Sequence, residues 1–324
     1  MDGIINVRKE RGFTSFDVVA ILRGILHEKK IGHCGTLDPD AEGVLVVCAG
    51  HATRLVDLLT AHEKTYRASL KLGLNTDTQD TGGTILRERE VRVSEEEVRK
   101  AVLSFIGEID QIPPMYSAVK VNGKKLYELA RAGKEADRKP RRVKISAIEI
   151  EKIDLPFIEM TVRCSKGTYI RTLCEDIGDR LGCGGAMASL IRVQSGAFSI
   201  ENAWSLDEIR NEMAAPAPGF LIPLDACFYD LPSVTVKGEK DTLVRNGNPV
   251  RLSEKWFEEP KEKVLPSDTF RLDSREQNKP DTRKIRVYLE NGTFAGVYEY
   301  IEDRNWWKPW KMFLYAEQGK KKKS

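Results

Sequence analysis

The chain has 324 residues, 41% of them apolar and 31% charged, with a formal net charge of only +3. That length suggests about two domains with a real core, and the near-balanced charge names no partner until its distribution is known. Six cysteines without a close pair and four histidines without metal spacing argue against a disulfide framework or zinc site. With no leader pattern or membrane-length apolar run, the expectation is a soluble, cytoplasmic protein with reduced thiols and no membrane association.

Residues 4–7 read as a short strand, and Lys9-Glu10-Arg11-Gly12 as a turn. Thr14 and Asp17 have capping-box spacing. Phe16, Val19, Leu22 and Leu26 recur at helical period, which predicts a helix with Lys29 and Lys30 in its last turn. The helix leads into Gly32-His33-Cys34-Gly35-Thr36-Leu37-Asp38-Pro39-Asp40-Ala41-Glu42-Gly43, followed by the apolar run 44–48. Proline fixes its own φ and restrains the residue before it, so Asp38 is a carboxylate on a stiff loop. Such a mounting suits a catalytic group, and it also suits a plain turn.

Residues 55–59 carry a helical apolar pattern, and 64–73 alternate with Tyr66, Ala68, Leu70 and Leu72 on one face of a strand. The acids of the polar loop 75–83 lack EF-hand spacing. Ser94 and Glu97 cap a second helix whose inner face is Val98, Ala101, Val102 and Phe105, and Gly107 ends it. Segment 112–118, with Pro113-Pro114, fits neither a helix nor a central strand. Asn122-Gly123 marks a hairpin ringed by Lys120, Lys124 and Lys125, and a short helix runs on to Gly133. Residues 134–144 include Lys134, Arg138, Lys139, Arg141, Arg142 and Lys144. Alone this is a solvated loop; with the hairpin lysines it becomes a candidate phosphate-binding surface.

Residues 159–164 alternate as a strand, then turn into a helix carrying Ile170, Leu173, Ile177 and Leu181, stopped at Gly182. A further helical turn is expected over 186–192, a strand over 194–198, and a helix capped by Ser205 and ending near Met213. Residues 214–219 read as a linker, with a second break at 230–232. Beyond it come short strands at 233–236, 243–244, 284–289 and 294–300, with a hairpin turn at 290–293: a small all-β domain. Residues 254–283 are expected to be a charged, flexible insert, and 317–324 a disordered basic tail. Trp306, Trp307, Trp310 and Phe313 are expected in the core or in barrel closure, with stacking on bases as the alternative.

No Walker loop, dinucleotide fingerprint or metal-ligand set appears, so no cofactor and no metal are expected. Residues alone give an α+β body plus a small β-domain with a nucleic-acid-binding surface. Asp38, Tyr66, Tyr169 and Arg171 each keep a structural alternative as turn residue, packed ring or ion-pair partner.

The joint pattern goes further. Gly32-His33-x-Gly35-Thr36-Leu37-Asp38-Pro39 with Gly43-Val44-Leu45 resembles the active-site motif of the tRNA pseudouridine synthase B family. Further blocks resemble that family in order: Lys64-x-Tyr66, Leu72-Gly73-x-x-Thr76-Asp77-Thr78-x-Asp80, residues 111–118, 123–128 and 164–173, and Leu190-x-Arg192. They cover most of residues 1–230. Glu10, where many relatives have proline, and Cys34, where threonine is common, depart from the pattern.

The resemblance is to the bacterial branch acting on free tRNA. It implies a pseudouridine-synthase α+β core over 1–230, with a mixed, largely antiparallel sheet and flanking helices. A PUA-like RNA-binding β-barrel over 231–316 would follow. It implies conversion of tRNA uridine 55, in the T-loop, to pseudouridine, by a monomer without an obligatory protein partner. Asp38 matches the catalytic aspartate and Arg171 the arginine paired with it. Tyr66 matches the tyrosine stacked on the target uracil. Tyr169 and Leu190 match pocket residues, and His33 the histidine that stacks where the flipped nucleotide leaves. Lys124, Lys125, Arg141 and Arg142 would hold tRNA phosphates. A second reading, an RNA chaperone or binding module whose catalytic role is secondary, is suggested by the basic loops and the β-domain; the intact Asp38, Tyr66 and Arg171 oppose a purely binding role. A guide-RNA-complex component is opposed by the bacterial-type block 113–116.

Overall fold

The computed structural model describes residues 1–121, 123–216, 218–259 and 283–314. The chain begins with Gly3–Lys9 (β1) and the helix Ser15–Leu26 (α1). Ile31–His33 (β2) leads through the Asp38 loop to Glu42–Ala49 (β3), then Val56–Thr60 (α2) and Lys64–Leu72 (β4). A hairpin of Leu74–Thr76 (β5) and Ile85–Glu88 (β6) precedes Glu95–Leu103 (α3) and Gly107–Gln111 (β7). A small hairpin, Lys120–Val121 (β8) with Lys124–Lys125 (β9), runs into Leu126–Arg131 (α4). Then come Arg141–Asp154 (β10), Phe157–Cys164 (β11), Ile170–Arg180 (α5), Gly185–Ser195 (β12), Phe198–Ser199 (β13), Leu206–Glu212 (α6) and Leu221–Ile222 (β14). The last part holds Ser233–Thr235 (β15), Glu239–Arg245 (α7), Lys284–Tyr288 (β16), Phe294–Ile301 (β17) and Trp306–Met312 (β18).

One sheet organises the first part, in the order β14-β1-β3-β12-β4-β11-β10-β7, with β2 on β3 and β13 on β12. Every pairing is antiparallel except β12 with β3. The expected mixed, largely antiparallel sheet is therefore present. Strands β1 and β3 read as continuous apolar runs because both their faces are covered. On one face Ile5, Val7, Leu45 and Val47 pack against Val18, Val19, Leu22 and Leu26 of α1. On the other, Ile4, Val44, Val46 and Cys48 meet Leu55, Leu59, Phe228 and Phe313. A third cluster sets Val98 and Val102 of α3, with Leu173 and Ile177 of α5, on Leu70, Ile158, Met160 and Val162. Each such buried aliphatic side chain contributes roughly 1.5–3 kcal/mol.

All three predicted capping boxes form, at Thr14–Asp17, Ser94–Glu97 and Ser205–Glu208. Helix α1 ends earlier than expected, on His27 in the left-handed region, so Lys29 and Lys30 lie beyond its last turn. Phe16 is not on its inner face but 66% exposed. Lys9 is the last residue of β1 rather than the start of a turn, and it is wholly buried. The largest correction is residues 186–192, which form strand β12 at the centre of the sheet. Its register shifts at Met187/Ser189 and Arg192/Gln194, and those bulges break the alternation that would have announced a strand. Similarly, the basic stretch 134–144 is not all loop, since β10 begins at Arg141 and pairs with β7. Asn122 of the predicted hairpin lies outside the described residues; its neighbour Gly123 takes φ +82, as a tight turn requires.

The second part is a four-stranded sheet, β15-β16-β17-β18, with β15 parallel to β16. Closure into a barrel is not among the pairings of the described residues. Residues 243–244 belong to helix α7, not a strand. Val234, Val287, Ala295, Tyr298 and Trp307 form its core. Trp307 and Phe313 are buried as expected, whereas Trp310 is partly exposed. The expected insert starts in structured chain, where Glu258 bridges to Ser233; residues 260–282 and the tail 317–324 lie outside the described residues. The two sheets are joined by Phe228, Phe294 and Phe313, and by the Tyr288 hydroxyl, which donates to Asp225 at 2.7 Å. All six cysteines are buried and unbridged. Among the described residues no helix is long and apolar enough to cross a membrane.

Candidate active site

The loop between β2 and β3 is fastened from three sides. Ser15, at the start of α1, donates its hydroxyl to the Leu37 carbonyl at 3.1 Å and accepts from the Leu37 amide at 2.9 Å. Lys9 donates to the carbonyls of Glu10, Pro39 and Ala41 at 3.0, 3.2 and 2.6 Å. Arg192 on β12 donates to the carbonyls of Val44, Gly35 and Thr36 at 2.6, 3.1 and 3.4 Å. Gly43 has to be glycine, because its φ is +102 and a Cβ would stand 2.3 Å from the Arg192 carbonyl oxygen.

Asp38 projects from this loop toward Arg171, at the start of α5. Arg171 Nε lies 3.0 Å from Asp38 Oδ2, and Nη1 lies 3.8 Å from Asp80 Oδ2. Its remaining donors reach the Thr78 carbonyl at 2.9 Å and the Tyr116 carbonyl at 2.8 Å. One buried guanidinium thus ties together the Asp38 loop, the loop after β5 and the segment leading to the basic hairpin. The Asp38 side chain is 42% exposed, while its surroundings are crowded. That crowding pushes its carboxyl above the ordinary value, and Asp80 adds to the push; Arg171 and Lys9 pull it back. The result is a reachable, ionisable carboxylate whose direction is fixed by a charge-assisted bond.

Tyr66 lies on β4, opposite Arg192 of β12, and Leu190 lies opposite Ala68 of the same strand. Tyr66, Leu190 and Leu37 belong to one apolar cluster, so ring, leucine and Asp38 loop share a wall. Burial raises the Tyr66 hydroxyl above its ordinary value, partly offset by Arg192 beside it. Tyr169 is the N-cap of α5 and is held by the Gln111 side chain, which donates to its carbonyl at 3.0 Å and accepts from its amide at 2.9 Å. His33 closes β2, and its ring meets the exposed Phe16 edge-on at 5.7 Å. Burial, with the charge of Arg192, lowers the His33 pKa from its ordinary value and so favours the neutral ring.

The basic candidates differ among themselves. Lys124 and Arg141 are exposed. Lys125 packs over the Tyr127 ring at 5.3 Å. Arg142 is exposed but already answered by Glu108 at 3.5 Å and Asp110 at 3.3 Å. The hairpin that carries the lysines springs from the Tyr116–Ser117 segment, whose Ser117 carbonyl accepts from the Tyr127 amide at 3.1 Å.

The geometry adds groups whose sequence signal was weak. Lys9 read as a turn residue, and Arg192 read as part of a helical turn. Asp80 read as one acid in a polar loop. Ser15 lay unnoticed inside a capping box. Among the described residues no cluster of three or more His, Cys, Asp or Glu could hold a metal ion.

Residues 23–170 match the model of the TruB family pseudouridylate synthase N-terminal domain, and residues 171–228 match the tRNA pseudouridylate synthase B C-terminal domain. A tRNA pseudouridine synthase B from Lachnoclostridium phytofermentans is 51% identical over 97% of this chain and 100% of its own length. One from Clostridium acetobutylicum is 45% identical, over 94% and 97%. In solved structures, a chain of a Cbf5-Nop10-Gar1 complex is similar at a TM-score of 0.64 and 25% identity, over 97% of this chain and 85% of its own. A chain of an H/ACA RNP bound to a substrate RNA containing 2'-deoxyuridine has a TM-score of 0.65 at 23% identity, over 97% and 86%; at that identity the likeness speaks for the fold alone.

Proposed function

Since the chain belongs to the TruB family of pseudouridylate synthases, we propose that Asp38 drives its conversion of uridine to pseudouridine, with Arg171 holding the carboxylate in place. The protein is a tRNA pseudouridine synthase, an isomerase whose substrate is tRNA. The observation that carries the role of Asp38 is the 3.0 Å contact with Arg171, made across more than a hundred residues of sequence. The target is the T-loop uridine at position 55, and the protein acts on free tRNA as a cytoplasmic monomer.

The reaction breaks the N1–C1′ bond, with the electron pair leaving on uracil N1. The uracil turns, C5 bonds to C1′, the C5 proton is lost and N1 regains a proton, so substrate and product are isomers. Asp38 supplies an ionised oxygen for this, either bonding to C1′ or taking a proton from the sugar. Tyr66 offers a flat ring for the uracil, and Leu190 and Tyr169 complete the pocket wall. The neutral ring of His33 stacks where the target nucleotide leaves its folded loop. Lys124, Lys125 and Arg141 meet phosphates, with Arg142 shared between phosphate and its two carboxylates. Residues 1–230 serve catalysis, and 231–316 form a PUA-like RNA-binding unit. Supporting that second assignment, Lys284 and Lys311 flank the Trp310 ring at 4.7 and 5.3 Å, a cation–aromatic surface suited to RNA.

The test is to incubate the protein with an unmodified tRNA transcript, without added cofactor, and map pseudouridine. Product at the T-loop uridine is expected. A transcript that binds but stays unmodified at that position would end this reading.

A further inference from the structure

We propose that Arg192 is the positioning residue that fixes the Asp38 loop relative to Tyr66. Strand β12 is wedged between β3 and β4 and touches both at Ile191 and Arg192; Arg192 lies opposite Gly43 on the parallel side and opposite Tyr66 on the antiparallel side. Its side chain folds back under the loop and reaches carbonyls on both sides of Asp38, those of Gly35 and Thr36 before it and Val44 after it. Arg192 faces Tyr66 across the β12–β4 register, and its charge offsets part of the rise in the Tyr66 hydroxyl pKa. One planar group therefore sets the spacing between the carboxylate's mount and the strand that carries the Tyr66 ring.

The setting of Arg192 is unusual for a merely structural residue. It is 1% exposed, and among the described residues it forms no ion pair. Burying a cation without a carboxylate is costly, and its neighbours Lys9 and Lys64 are also buried cations bonded to carbonyls. Burial lowers both lysines to about 8, and the charge of Arg192 adds to the fall. A fold tolerates such local conflict mainly at functional sites. Lysine cannot replace this arginine, because an ammonium is a point donor whereas the guanidinium fork serves three carbonyls in different directions.

The role rests on the reaction proposed above, and the two fail separately. A wild-type protein that makes no pseudouridine defeats that reading; an active wild type with an indifferent Arg192→Lys defeats this one. Release of the C5 hydrogen from tRNA carrying 5-tritiated uridine reads turnover. Arg192→Lys is expected to lower kcat about 100-fold, the scale of an ångström-level misplacement, with tRNA affinity little changed. Because Arg192 links the loop to Tyr66, the same substitution in a Tyr66→Phe background should cost at least fivefold less. A kcat within threefold of wild type, or fully additive losses, would overturn the assignment. Should Arg192→Lys not fold, wild-type amide hydrogen exchange decides: amides 35–43 should exchange as slowly as those of β3, and exchange as fast as in residues 77–84 would refute the proposal.

Discussion

The Asp38 loop and the stretch from Ile112 to Pro140 use the same residue types in opposite ways. Under the loop, Lys9 and Arg192 are buried, and each donates to three backbone carbonyls. In the second stretch Lys124, Lys134 and Lys139 face solvent. A buried cation bonded to carbonyls fixes geometry and is little affected by salt. An exposed one acts at a distance and is screened by it. The first arrangement suits chemistry, which needs atoms held to fractions of an ångström; the second suits grip on a polyanion.

That contrast breaks if charge under the loop and charge on the hairpin prove interchangeable in their effects. The largest expected effect is Asp38→Asn, which should lower kcat at least about 1000-fold while leaving tRNA affinity within about threefold. A variant keeping a tenth of the activity would remove the carboxylate from the mechanism.

Next is Arg171→Gln, with a loss of about 100-fold in kcat from the missing charge-assisted bond. It also carries a sign. A neighbouring cation favours ionised Asp38, so removing Arg171 raises the Asp38 pKa further above 3.8. The acid limb of the pH–rate profile should therefore move to higher pH; movement the other way would contradict the pairing.

Replacing Lys124 and Lys125 with alanine should weaken tRNA binding by about tenfold and reduce the salt slope by about 1 to 2, with kcat at saturating tRNA nearly unchanged. Filter binding across salt concentrations measures this, and an unaltered slope would take both lysines out of the phosphate footprint. Smallest of all is Phe16→Ala. Because the ring is exposed, thermal melting should show a change within about 0.5 kcal/mol. Leu22→Ala, in the α1 core, should cost about 2–5 kcal/mol. Equal losses would put Phe16 back in the core.

Much of the site was readable as sequence because its groups sit in local signals. Asp38 stands before Pro39 among glycines, and Arg171 follows a strand-to-turn boundary. The capping serines and threonine mark their helices by spacing alone. What escaped was nonlocal. Residues 186–192 lose their period to two bulges, so the strand holding Leu190 and Arg192 looked helical. Lys9 looked like a solvated turn because charge predicts exposure, yet carbonyls from residues 39 and 41 surround it. Strands β7 and β10 carry charge on exposed faces at the sheet edge, and so lack the apolar density of β1 and β3. Phe16 fits the helical spacing but faces His33 instead of the core.

The order β3-β12-β4 has a consequence for how the protein comes into being on the ribosome. Strands β3 and β4 follow one another in the chain, yet neither meets its central neighbour until residues 50–184 have been made. At usual elongation rates that is a wait on the order of ten seconds, with the β4 edge open and, on β3, the Glu42–Gly43 end that β2 leaves unpaired. Only when β12 slots between them do Arg192, the Asp38 loop and Tyr66 come into register. The site therefore assembles late, with closure of the sheet, and a nascent chain stopped before Gly185 would hold the exposed basic loops but not the register of Arg192 with Gly43 and Tyr66.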